Sequence, residues 1–191
     1  MTTKLELYER GKERIELFCR KNGLTQVATV LVNSKDWYFD CCAYYRKDTV
    51  TICLAKCGFP CGPTNSANWT WPGSVIDREP FGVLAHELGH HVDLCIGKVK
   101  DRYSSEVSGM LRRASGEQPL TGYCPNDAEW FAEMMRLFIT NSQLLKVVRP
   151  TTYSLFLERW NPVSKKPWLD VLGSNCPARV INSIHSRIRR L

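Results

Sequence analysis

One short pattern constrains this 191-residue chain more than any other: His86-Glu87-Leu88-Gly89-His90, an H-E-x-x-H. The spacing around it predicts a helix from about Pro80, a residue suited to a first helical turn, to Cys95, with Gly97 as the stop. Residues four apart on a helix lie one turn apart on one face. His86 and His90 can therefore present two imidazoles to a single zinc ion. Glu87 lies beside them, where a carboxylate can take a proton from water at the metal. At about 100° per residue, Phe81, Leu84, Leu88, Val92 and Cys95 form one apolar stripe, with His86 and His90 almost opposite. The greasy face is expected to hold the helix while the other face carries ligands. Three of the chain's four histidines fall at 86, 90 and 91, a clustering that chance explains poorly. His91 points away from the pair and reads as structural.

A catalytic zinc usually takes three protein ligands and leaves a position for water. The pattern with a third histidine six residues after the second fails, because Ile96 stands there and Asp93 replaces the glycine it needs. The best remaining source is DAEWFAEMMRLF, residues 127–138. It reads as a helix capped by Asn126 or Asp127 and running to about Thr140. Trp130, Phe131, Met134, Met135, Leu137 and Phe138 cover most of its circumference, leaving Glu129, Glu133 and Arg136 on one narrow strip. Carboxylates on a buried helix need a partner, and a metal is a strong one, which makes Glu129 the candidate third ligand. The competing reading is a thin solvated edge with a Glu133–Arg136 pair at i,i+3.

The rest of the chain frames these two helices. Residues 4–22 read as an amphipathic helix with Leu5, Tyr8, Ile15, Phe18 and Cys19 on one face and Asn22-Gly23 as its stop. Residues 26–32 read as a strand, and 38–45 and 49–54 as a hairpin around Arg46-Lys47-Asp48. A Pro-, Gly- and Asn-rich loop covers 58–76, with Trp69 and Trp71 pinning it. Further helices are expected over about 104–114, from Pro150 to about Trp160, and near 177–190. The reading is one α+β domain over 1–191: an N-terminal helix (1–24), a core (25–141) and a basic helical segment (142–191).

Hydrophobic residues make up 43% and charged residues 24%, which excludes wholesale disorder and coiled coil. No apolar run approaches the roughly 18 residues of a membrane span. The charged start, MTTKLELYERGKERIE, lacks the apolar centre of a signal peptide, so a soluble, cytoplasmic protein is expected. The net charge of +7 sits entirely in residues 142–191, where nine Lys/Arg face only Glu158 and Asp170. Such an end can attract nucleic acid or an acidic partner, or simply form a solvated surface. The nine cysteines are odd in number and read as reduced thiols. Cys41, Cys42, Cys53, Cys57 and Cys61 crowd together. Four thiolates such as Cys41, Cys53, Cys57 and Cys61 can hold a structural zinc, although plain buried residues explain the spacing better.

Taken together, HELGHHVD, YCPNDAEWFAEMMRLFITN and RPTTYSLFLERW resemble the lethal-factor-type zinc peptidases, and metallopeptidases encoded by phages and prophages. These are gluzincins, with two histidines from H-E-x-x-H and a glutamate from a second helix. The resemblance covers roughly residues 48–160. It implies a zincin-like small twisted sheet, His86, His90 and Glu129 as zinc ligands, and Glu87 as general base. It further implies Glu133 orienting a ligand histidine, and Tyr123 stabilising the oxyanion or protonating the leaving amine, with Tyr103 a weaker substitute. By the same resemblance, residues 49–54 would pair with extended substrate, against the plainer reading of a core strand. The function expected is a zinc endopeptidase acting on protein or peptide substrates. The alternative is a zinc-stabilised module that binds nucleic acid or protein through its basic tail.

Overall fold

The computed structural model describes residues 4–32, 43–55, 82–97, 105–119, 124 and 126–163. Among them are five helices and a three-stranded mixed sheet, an α+β arrangement as expected. The predicted loop over 58–76 with Trp69 and Trp71, residues Tyr103 and Tyr123, Cys41, Cys57 and Cys61, and the helix near 177–190 lie outside the described residues.

Helix α1 (Lys4–Lys21) ends where the sequence places its stop. Gly23 adopts φ +63, a left-handed conformation that costs glycine little, while Asn22 donates through Nδ2 to the Phe18 carbonyl. Its apolar face buries Tyr8, Ile15, Phe18 and Cys19. Asn22 also grips residue 161: the Asn161 N–H donates to Asn22 Oδ1 at 2.6 Å, and Lys21 donates to the Pro162 carbonyl at 2.9 Å. The first helix is thereby tied to residues 161 and 162, which follow the last of the described helices.

Strands β1 (Ala28–Val32), β2 (Ala43–Arg46) and β3 (Thr51–Ala55) form the sheet in the order β1-β3-β2. The hairpin is real: β2 runs antiparallel to β3, with Tyr45 opposite Ile52 and Arg46 opposite Thr51. β1 runs parallel to β3 on its other side. This overturns the reading of 49–54 as a substrate-pairing strand. β3 has partners along both edges and no free ladder to offer, so the core-strand reading holds. Cys53 is buried on this central strand as an unbridged thiol.

Helix α2 (Gly82–Gly97) carries the H-E-x-x-H and packs between the sheet and α4 (Asp127–Val148), with α3 (Ser105–Ser115) alongside. Of the predicted stripe, Leu84, Leu88 and Val92 are fully buried, Cys95 is half-buried and Phe81 lies outside the described residues; Ala85 and Asp93 are also fully buried, and His86, Glu87, His90 and His91 keep 2–9% exposure. α4 packs against α2 there, and the Glu129 side chain beside the two histidines stays 22% exposed. Close approach of the two helices depends on Gly89: a Cβ there would sit 2.7 Å from Ala132 Cα and 3.1 Å from its carbonyl oxygen. Backbone cannot yield as a side-chain tip does. Gly89→Ala is accordingly expected to lower stability by about 1–3 kcal/mol in a denaturant melt of the metal-free protein, and an unchanged midpoint would show that the helices can part cheaply.

Helix α4 outruns its expected end near Thr140. Asn141 leaves helical geometry (φ −151, ψ 68), but its side chain accepts the Leu144 N–H at 3.1 Å and restarts the helix. A stop signal thus acts as an internal cap. Residues Leu144, Leu145 and Val148 join the main core, and α5 (Pro150–Leu157) then places Phe156 against Phe131, Phe138 and Trp160. Arg149, counted among the basic residues of 142–191, is buried, and its guanidinium donates to the Gln118 and Pro119 carbonyls. It braces the fold instead of offering charge to a partner. None of the described helices is long and apolar enough to cross a membrane.

Candidate metal centre

The third candidate donor arrives through the start of α4. Asn126 is the N-cap, and its side-chain oxygen accepts the Glu129 N–H at 2.9 Å. In a capping box the glutamate at this position reaches back to the cap. Here the Glu129 carboxylate lies against both histidines, with Oε2 3.1 Å from His86 Nε2 and Oε1 3.6 Å from His90 Nε2. One ligand atom from each of the three residues falls within 4.8 Å of the others. Donors at about 2.0–2.1 Å around a tetrahedral zinc stand about 3.3 Å apart, and the two Glu129–histidine separations bracket that edge. The two nitrogens and one oxygen form a donor set that fits a divalent ion such as zinc, although they do not by themselves fix which ion binds.

Glu133 lies one turn further along α4, where His86 Nδ1 donates to its Oε1 at 2.7 Å. That bond fixes the ring orientation and leaves Nε2 as the nitrogen facing Glu129. His91, by contrast, is structural, as expected. Its Nε2 donates to the Thr25 carbonyl at 2.9 Å, so Nδ1 accepts from the Tyr45 hydroxyl at 2.9 Å, and burial lowers its pKa. Glu87 is buried, 7% exposed as a residue. Burial raises its pKa, against the opposing pull of His86, His90 and a backbone N–H from Tyr45 on β2, with Glu129 adding to the rise. A carboxyl so placed is suited to taking up a proton nearer neutrality than an ordinary glutamate.

Electrostatics of the metal-free cluster follow from the same contacts. Burial alone would lower His86, but the hydrogen bonds it donates to Glu129 and Glu133, with the charges of Glu133 and Glu87, raise it to about 9. Burial alone would raise Glu129, and its hydrogen bonds and charge interactions with His86 and His90 hold it well below the usual carboxylate range. A raised histidine contributes stability fully below its ordinary pKa of 6.5 and loses it as pH climbs through about 9. A depressed glutamate contributes above its ordinary 4.5 and loses that contribution only on acidification. Metal must displace the imidazole proton, so zinc affinity should rise over the same interval in which metal-free stability falls. Melting temperature and zinc affinity measured from about pH 6 to 9.5 check this pairing of opposite slopes, and an affinity independent of pH would contradict it.

Three residues with a bearing on the site were not placed at it by sequence reasoning. Tyr45 contributes a backbone N–H, which no side-chain pattern announces. Asp93, seen only as a failed motif position, is fully buried near His90 and Ser108, and burial pushes its carboxyl up to about 6. Arg136 enters through a pairing with Glu133 that sequence alone offered as a solvated edge; both side chains are buried. Comparison of the chain with protein-family models, curated proteins and solved structures finds no match.

Proposed function

We propose that the protein is a zinc-dependent endopeptidase of the gluzincin type. The observation that carries the reading is the meeting of His86, His90 and Glu129, with the buried Glu87 carboxyl beside them. His86 and His90 would hold the ion through Nε2 and Glu129 through its carboxylate. Bound there, zinc would supply a Lewis acid that acidifies water and polarises a peptide carbonyl. Glu87 would take the proton from that water and return it to the departing amine, its carboxyl steadied by the Tyr45 N–H. Glu133 would keep His86 in the tautomer that leaves Nε2 its lone pair. Tyr123, outside the described residues, remains the candidate for stabilising the oxyanion or protonating the leaving amine. A purely structural zinc site has no need of a carboxylate at position 87, which favours hydrolysis over the nucleic-acid- or protein-binding alternative.

The test is digestion of a diverse peptide library by protein stripped of metal and then reloaded. Cleavage should vanish with a chelator and return with zinc. A folded, zinc-loaded protein that cleaves nothing in the library, and binds nucleic acid in a salt-dependent way, would favour the alternative.

A further inference from the structure

We propose that Arg136 is a positioning residue of this centre: its guanidinium, lodged against the bare Cα of Gly82, clamps Glu133 in the orientation that holds His86. The proposal rests on the zinc reading above and concerns how the donor set is kept in place. Glu133 Oε1 receives two donors, His86 Nδ1 at 2.7 Å and Arg136 Nη1 at 3.5 Å. A carboxylate held from one side can swing about its side-chain torsions; a guanidinium on its other side, even at 3.5 Å, narrows that freedom.

The guanidinium occupies the space that the missing Gly82 side chain leaves. A Cβ on Gly82 would stand 2.7 Å from Arg136 Nη2, 3.0 Å from Nε and 3.1 Å from Cζ, so the space a side chain would fill is occupied by the arginine head. Gly82 and His86 are one turn apart on α2, and Glu133 and Arg136 one turn apart on α4. The four residues close a loop that runs from Gly82 through Arg136 and Glu133 to His86 and back along α2. Arg136 is 7% exposed and Glu133 3%, so the pair is removed from the water that would otherwise loosen it. A surface pair at i,i+3 could not transmit position in this way.

Zinc affinity, measured by competition with a chromophoric chelator, tests the clamp without reference to turnover. Arg136→Met and Gly82→Ala should each weaken zinc binding by about 10-fold or more, and Glu133→Gln by about 10–100-fold. Because Arg136 acts through Glu133, the double variant E133Q/R136M should match E133Q within about threefold. Gly82→Ala keeps both charges and adds a better helix former, so it reads the clamp even if R136M fails to fold. Wild-type affinity in R136M and G82A, or losses that multiply in E133Q/R136M, would overturn the proposal while leaving the zinc reading intact. A wild-type protein that takes up no zinc would overturn both.

Discussion

Glu87→Gln is expected to keep one zinc per chain and to lower kcat/KM on a peptide substrate by about 10²–10⁴-fold, the range for losing a general acid–base group. The change is nearly isosteric. Glutamine still offers an oxygen to the Tyr45 N–H, so the buried position need not be vacated. What disappears is the capacity to accept and return a proton. Stopped or discontinuous assays on wild type and variant at matched zinc content separate chemistry from metal loss. Undiminished hydrolysis in E87Q would remove Glu87 from the mechanism.

The second large effect is expected at Glu129. Glu129→Ala removes one of three proposed donors and should weaken zinc binding by more than the roughly 10–100-fold that outer-shell changes cost. The helix start should survive, because Asn126 caps the backbone N–H of residue 129 and not its side chain. Metal-free E129A should also hold a proton on His86 less firmly, since a hydrogen bond that raises its pKa is gone. Equilibrium dialysis against zinc reads the affinity, circular dichroism the intact fold, and an NMR titration of the metal-free protein the His86 proton. Full zinc retention would move the third ligand to another residue.

How much of this could be read beforehand differs residue by residue. His86 and His90 were legible because a five-residue spacing and one helical turn together dictate a shared face. Glu129 was legible more weakly, as a polar residue on an otherwise greasy helix, and the structure places its carboxylate against both imidazoles. The hairpin and most helix ends were legible from turn and stop residues. How deeply α2 is buried was not, since its neighbours determine what covers it, and periodicity within one helix says nothing of them. The sheet order was equally hidden. Residues 49–54 look the same as an edge or a centre strand until β1 is seen to pair beside them. Asn141 shows why the end of α4 was misplaced: the same side chain that can stop a helix can cap the next turn. Arg136 was visible as a charge but not as a clamp, because Gly82 lies 54 positions away in sequence and only folding brings it alongside.

The central claim is that His86, His90 and Glu129 bind one divalent metal ion, and X-ray absorption at the zinc edge tests it most directly. With one equivalent of zinc loaded, the account predicts a shell of two imidazole nitrogens and light oxygen donors at about 2.0–2.1 Å, lost in His86→Ala. A shell dominated by sulfur at about 2.3 Å and unchanged in that variant would contradict it, and would assign the metal to the cysteines instead.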